Sequence, residues 1–316
     1  MMDLAMRNEF ETWVETGRPP LDEQPVLGIA ALMTTAAFVD PVAQVPIFDA
    51  IAAATLASND GAQRAAQITE ALPWVKEGKP RIALPRPLWD GFWNIVQAPP
   101  SATEGELDLT LQVVALGDLY DDRMLDRCEE ALLEFEGVHD LIAQPEVRLT
   151  TADLEKHPAD TLATELLTML NSNGYDIEVI DADNVVLAGD YPAQNRTNRR
   201  ILQLHDVWHL VGGYGFTAAG EVAISGFQMA QFGQNYSTRF LATVVTKVAN
   251  HTPEVMDLLL GVTFDGWRHG RATKQLIAEP WHEHIADPIS KIRSDMGIDP
   301  IDSSAVRMMD ALMPAG

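Results

Sequence analysis

Apolar residues recur along this chain with a helical period. Spacings of three and four residues carry them through about 4–16, 26–38, 43–57, 60–72, 87–96, 106–117, 122–143, 158–172, 197–212, 217–233, 237–250, 253–271 and 287–296, with a short further segment near the end. Period-two alternation barely occurs; its best instances are Ile177 to Ile180 and Asn184 to Ala188, either side of Asp181-Ala182-Asp183. The pattern predicts an all-α fold, read as a multi-helix orthogonal bundle. A Pro- and Ser-bearing stretch, Gln97 to Glu104, is the predicted seam. It separates a helical N-terminal extension (1–100) from a second helical domain (101–316). The apolar run Val26 to Val39, stopped by Asp40-Pro41, is too short to span a bilayer and reads as a buried helix.

One helical segment carries more than a packing face. His205-Asp206-Val207-Trp208-His209 places two imidazoles four residues apart, one above the other on a single face, with Asp206 on the adjoining stripe. Gly212-Gly213-Tyr214-Gly215 then ends the helix, and Thr217 is placed to cap a second one with Glu221 in its early turns. Histidines at this spacing are more often core or surface residues than ligands. Here the flanks (Ile201, Leu202, Leu204, Val207, Trp208, Leu210, Val211) are apolar, and burying His, Asp and His together is costly unless they are paired or ligated. His205, Asp206, His209 and Glu221 are therefore the expected ligands of a divalent metal with an open position, a catalytic rather than a closed structural arrangement. Zinc is named first; iron, manganese and cobalt suit the same donors.

Four further groups carry chemistry-bearing residues. Arg196, Arg199 and Arg200 lead into the histidine helix and could hold a carboxylate or phosphate, or else pair with local acids. In Trp281-His282-Glu283-His284, alternate helical residues point about 200° apart, so the two histidines would chelate together only on a strand or loop. Glu283 is the better candidate there, as support to the site or as a general base. Trp267-Arg268-His269-Gly270-Arg271 reads as basic residues favoured in a last helical turn. Phe216, Phe227, Met229, Phe232, Phe240 and Leu241 make either core or the wall of an apolar tunnel. The acids Glu129, Glu130, Glu134 and Glu136 read as a solvated helix face.

Charge narrows the partners. With 22 Lys and Arg against 46 Asp and Glu, the net charge of -24 excludes nucleic acid, whose phosphates need basic compensation, and basic-patch binding to anionic lipid. Membrane contact through apolar surface stays open. Cys128 is the single cysteine, so no internal disulfide forms and a reducing cytoplasm fits. Met1 to Pro20 lacks the order of a signal or transit peptide. There is no phosphate loop, nucleophile elbow or dinucleotide fingerprint.

The string H-D-x-x-H-x(11)-E, as His205, Asp206, His209 and Glu221, resembles the metal motif of the ubiquinone-biosynthesis family named for the fourth Coq protein. His157-Pro158 followed by Asn173-Gly174-Tyr175-Asp176 is similar to that family's lead-in. Gly270-Arg271-Ala272-Thr273-Lys274-Gln275-Leu276 and Trp281-His282-Glu283-His284-Ile285-Ala286-Asp287-Pro288-Ile289 resemble its later stretches, over roughly 145–298. The resemblance implies an all-helical protein of coenzyme Q assembly with a divalent metal and an apolar pocket for a prenyl tail. It implies a cytoplasmic protein, peripheral on the inner face of the membrane, whose partners are a polyprenylated quinone precursor and other coenzyme Q biosynthesis proteins. The implied reaction is metal-dependent oxidative decarboxylation, carboxylate to hydroxyl, on a polyprenyl-hydroxybenzoate. His205, Asp206, His209, Glu221 and Glu283 would carry the chemistry, and Arg196, Arg199 and Arg200 would hold the carboxylate. A non-catalytic prenyl-lipid scaffold is the competing role, and a His-Asp phosphohydrolase, which needs a further His and Asp, is a third. The long segment ahead of the match, with His282 and Ile285 where the family has Glu and Trp, departs from the pattern. That extension is read as a regulatory or dimerising module, which adds a homodimer to the expected partners.

Overall fold

The computed structural model describes residues 1–99, 106–174, 177 and 187–312. Within them the chain forms seventeen α-helices and no strand. The first six are α1 (Leu4–Thr16), α2 (Pro25–Phe38), α3 (Gln44–Ala57), α4 (Gly61–Ala71), α5 (Trp74–Glu77) and α6 (Arg86–Gln97). There follow α7 (Glu106–Gly117), α8 (Asp122–Leu132), α9 (Glu136–Ala143), α10 (Thr151–Leu154) and α11 (Leu162–Asn173). The last six are α12 (Pro192–Gly212), α13 (Ala218–Phe232), α14 (Asn235–His251), α15 (Met256–Ala272), α16 (Ile289–Met296) and α17 (Ser304–Leu312). The two predicted strands at 177–180 and 184–188 lie almost wholly outside the described residues, as do Tyr175 and Asp176.

The centre is α13 packed along α15, with α14 beside both. Their contact is close because glycines line it. A Cβ at Gly226 would overlap the Thr263 carbonyl, one at Gly266 the Ala223 carbonyl, and one at Gly270 would lie 2.6 Å from the Phe227 carbonyl. Backbone thus meets backbone, and α13, which carries Glu221, is held close against α15. Gln231, fully buried, fastens the end of α15 by donating to the carbonyls of Gly270 (2.7 Å) and Thr273 (3.0 Å) and accepting from Leu276 N–H (2.8 Å).

The helices before the predicted seam share this core. α2 is the apolar run at Val26 and lies along α14, where the hydroxyls of Thr34 and Thr246 meet at 3.5 Å. Phe48 of α3 packs on Phe264 and Trp267 of α15, with ring centroids 5.7 and 5.2 Å away. Among the described residues, no helix is long and apolar enough to cross a membrane.

Of the boundaries that differ from the periodicity, two bear on the site. The predicted helix over 122–143 is broken between Leu132 and Glu136, and the break turns the buried Phe135 ring against Gly233, where any side chain would collide with it. The histidine helix begins at Pro192 rather than near 197, with Pro at its first position, where no N–H is needed. Its start is capped from another helix: the Glu129 carboxylate accepts from Ala193 N–H (2.7 Å) and Gln194 N–H (2.9 Å). Of the four acids read as a solvated face, Glu129 is therefore a capping group; Glu130, Glu134 and Glu136 are exposed.

Candidate metal centre

The long helix α12 ends at Gly213, whose φ of 77° is left-handed and suits glycine. The chain turns through Tyr214 to Thr217, whose hydroxyl accepts from Gly220 N–H at 3.1 Å and caps α13 as the sequence predicts. This turn sets the first coil of α13 beside the last two of α12 and brings three donors together. His205 Nε2 and His209 Nε2 are 3.0 Å apart; the Glu221 carboxylate lies 3.3 Å from the first and 3.2 Å from the second. All three donor atoms fall within 4.8 Å of one another.

These edges fit a common ion. Donors about 2.1 Å from a centre are spaced about 3.4 Å in a tetrahedron and about 3.0 Å at adjacent octahedral corners. The observed spacings span that interval, so zinc, iron, manganese and cobalt are all accommodated. His209 is buried and its Nδ1 faces the Tyr214 carbonyl at 3.4 Å, which fixes the proton on Nδ1 and leaves Nε2 free to ligate. Tyr214 is itself held: its hydroxyl pairs with His269 Nδ1 at 2.6 Å, and His269 Nε2 reaches the Asp299 carbonyl at 2.8 Å.

His205 has a different support. Its Nδ1 lies 2.6 Å from the side-chain amide nitrogen of Gln228, which is buried at 2% exposure. In that arrangement Nδ1 accepts and the ring proton sits on Nε2, directed at Glu221. Ligation through Nε2 requires the reverse: the proton on Nδ1 and the amide rotated by a half-turn, so that Oε1 receives it. Ser237 allows the exchange, because its hydroxyl is 3.2 Å from Gln228 Oε1 and 3.3 Å from Gln234 Oε1 and can accept from the first amide while donating to the second.

Burial opposes charge on both sides of the cluster, and the pairing outweighs it. The hydrogen bond and charge of Glu221, with the charge of Asp206, raise the His205 pKa against its desolvation. Burial pushes Glu221 up, but hydrogen bonds and charge from the two histidines hold it far below the usual carboxylate range. Protons and a metal therefore compete for the same nitrogen and oxygen atoms.

The other predicted residues are placed as follows. Asp206 is half-buried beside the cluster and is not one of the three converging residues. Glu283 is exposed and lies 3.9 Å from His282, while His284 pairs with Glu279 at 2.9 Å, so this stretch does not reach the cluster. The three arginines are committed elsewhere. Arg196 donates to the carbonyls of Leu141, Gln144 and Pro145 and pairs with Glu146 at 3.3 Å. Arg199 also reaches Glu146, at 3.1 Å. Arg200 donates to the carbonyls of Ile277 and Glu279, and burial with the nearby Arg196 pulls its pKa down to about 10. In the 267–271 group, His269 braces Tyr214 while Arg268 and Arg271 pair with Asp265 and Asp49. Phe227, Met229, Phe232, Phe240 and Leu241 are core; only Phe216 is exposed, stacked on His209 at 4.3 Å between ring centroids. Cavities of about 290 Å³ at Arg7 and Trp93 and about 430 Å³ at Leu56 and Trp267 lie away from the cluster and share no residue with it. No further His or Asp joins the three donors among the described residues, so the phosphohydrolase arrangement finds no support.

The family described as coenzyme Q (ubiquinone) biosynthesis protein Coq4 matches residues 105–302, from the start of α7 to just before α17. The chain belongs to the Coq4 family. Its fold is similar to a crystal structure of a Nostoc punctiforme protein assigned to ubiquinone biosynthesis, with 21% identity and a TM-score of 0.52 over 67% of this chain and 97% of that one. No curated protein sequence matches the chain. Within the Coq4 match fall all three converging donors, Gln228, and the stretches at Gly270 and Trp281, whose indole is fully buried and donates to the Leu276 carbonyl at 3.2 Å. The match leaves out α1 to α6.

Proposed function

We propose that this Coq4-family protein is a metal-dependent enzyme of ubiquinone assembly that replaces the ring carboxylate of a polyprenylated hydroxybenzoate by a hydroxyl. The observation that carries the metal reading is the convergence of His205 Nε2, His209 Nε2 and the Glu221 carboxylate from two consecutive helices. Two imidazoles and one carboxylate leave coordination positions open, as in non-haem oxygenases and hydrolytic zinc sites. Family membership supplies the pathway. In balance, an aryl carboxylic acid, dioxygen and a two-electron, two-proton reductant of the reduced flavin or nicotinamide class, supplied from outside this chain, give a phenol, carbon dioxide, water and the oxidised reductant.

A divalent ion held by the three side chains supplies a Lewis-acidic centre with open positions. The protein's residues do the rest. His209, tied to the Tyr214 carbonyl, and His205, tied to Gln228, present their Nε2 atoms in a fixed direction. Asp206 adds negative charge beside His205 without joining the donors, and Phe216 covers one face of His209 with an apolar ring. A prenyl tail would run over apolar surface, for which exposed Phe216 and the exposed Leu111 and Val114 of α7 are the candidates. The same residues would give a peripheral membrane contact suited to a chain of net charge -24. Other coenzyme Q biosynthesis proteins are the expected partners.

The test separates enzyme from scaffold. A strain lacking this protein should accumulate the carboxylated precursor, and His209→Ala should fail to restore ubiquinone although the variant is present at normal level. Full restoration by His209→Ala would exclude catalysis through this centre and leave the lipid-presenting scaffold.

A further inference from the structure

In a chain with more than twice as many acids as bases, Arg196, Arg200 and Arg293 are taken up by backbone carbonyls. Arg239, in the second turn of α14, is not. Among the described residues it has no carboxylate partner and no carbonyl acceptor, and its Nε is sealed from solvent with nothing to donate to. The residue as a whole is half-buried.

Its position is nevertheless fixed. The guanidinium lies over the Tyr120 ring, 5.1 Å from the centroid. It also occupies the space beside Gly117 at the end of α7, where a Cβ would collide with it. Among the described residues no carboxylate lies within ion-pair distance of it. Burial pushes the Cys128 thiol up to about 12 despite the pull of Arg239, so it stays neutral. Burial likewise keeps Tyr120 a neutral phenol, whose hydroxyl donates to the Ala37 carbonyl (3.0 Å) or Asn235 Oδ1 (2.8 Å). Glu129, beside Cys128, is committed to the start of α12. The Tyr120 hydroxyl also accepts from the guanidinium; with no carboxylate at ion-pair distance among the described residues, the remaining donors suit a carboxylate, which matches the planar fork.

One turn earlier on α14 stands Tyr236. Burial raises its pKa, a hydrogen bond with Thr110 of α7 lowers it, and the charges of Glu221 and Arg239 act on it with opposite sign. The hydroxyl thus lies within electrostatic reach of both.

We propose that Arg239 is the carboxylate-binding residue of this protein, holding the acid group of an aromatic substrate between α7 and α14. This rests on the function proposed above and moves the anion site from Arg196, Arg199 and Arg200 to a residue that no carboxylate or backbone carbonyl engages among the described residues.

The test uses the full-length, metal-loaded protein and two soluble probes, 3-prenyl-4-hydroxybenzoate and its decarboxylated counterpart 2-prenylphenol, with binding measured by calorimetry. The wild type should prefer the carboxylate at least tenfold. Arg239→Gln should lose that preference, keep its affinity for the phenol and retain its metal; Arg239→Lys should keep part of the preference. A second measurement needs no variant: phenylglyoxal modification of Arg239 in the wild type, followed by mass spectrometry, should be slowed by the carboxylate and not by the phenol. Inorganic phosphate as a third probe should protect weakly or not at all. Equal affinity of the wild type for both prenyl probes, unchanged preference in Arg239→Gln, or protection by phosphate equal to that by the carboxylate would overturn the proposal. The complementation result with His209→Ala is independent of all of these, so failure of the anion site and failure of the enzyme reading are distinguishable.

Discussion

Gln228 gives the sharpest quantitative test of how the centre is held. Its amide is buried 2.6 Å from His205 Nδ1, and the proposed ligation needs it to act as an acceptor there. Gln228→Met keeps the length and removes both hydrogen-bonding groups; Gln228→Glu keeps the length and leaves only acceptors. Losing the partner of a ligating histidine lowers metal affinity about 10- to 100-fold, or about 1.4–2.7 kcal/mol at 25 °C. Gln228→Met should therefore bind zinc that much more weakly. Gln228→Glu should bind as tightly as the wild type or more so, because an anion accepts the Nδ1–H more strongly and adds charge near the ion. Competition against a chelating dye reads both affinities, and thermal midpoints of the metal-free proteins verify that each variant folds. A residue that merely fills space predicts the opposite order, since Met packs well in a core and a buried carboxylate does not. Tighter binding by Met than by Glu would refute the reasoning.

Two further outcomes follow from the geometry. Gly266→Ala forces a methyl into the Ala223 carbonyl and should cost about 1–3 kcal/mol of stability by urea denaturation, with weaker zinc binding because α13 must shift; a neutral result would contradict the close approach of α13 and α15. The pH dependence has a definite sign. In metal-free protein, the raised His205 pKa contributes stability that is complete below the ordinary value of 6.5 and lost as pH rises through the folded value. The lowered Glu221 pKa contributes stability above its ordinary 4.5, lost as pH falls toward the folded value. The metal-free protein is thus favoured between roughly pH 4.5 and 6.5, and the gain in thermal midpoint on adding zinc should grow from pH 6 to 8; a constant or shrinking gain would be inconsistent with competition for His205.

What the sequence revealed was what is local. Helical periodicity located the long helices, and the four-residue spacing of His205 and His209 marked two of the three donors. Thr217 announced the start of α13 and so placed Glu221 opposite them. What it concealed was what other segments contribute. The start of α12 is fixed by Glu129, which periodicity assigns to a solvated face because the N–H groups it caps are 64 residues away. Arg196, Arg199 and Arg200 could be read as an anion site or as partners of local acids. The sequence could not decide, because the carbonyls that Arg196 and Arg200 serve lie around the end of α9 and in the loop after α15, and the Glu146 carboxylate that Arg199 meets is 53 residues away. Asp206 drew attention as a neighbour of His205, yet a single helical step turns it about 100° from the histidine face. Gln228 was legible in one respect only: it lies seven residues after Glu221, two turns along the same face of α13. A neutral amide gives no charge signal, and that spacing passed unnoticed among the apolar residues around it.

The central claim is that His205, His209 and Glu221 bind a divalent ion, and metal analysis of purified protein tests it most directly. The wild type should carry close to one equivalent by inductively coupled plasma mass spectrometry, His209→Ala and Glu221→Ala should carry almost none, and Asp206→Ala should keep it. Equal metal content in the wild type, His209→Ala and Glu221→Ala would contradict the account.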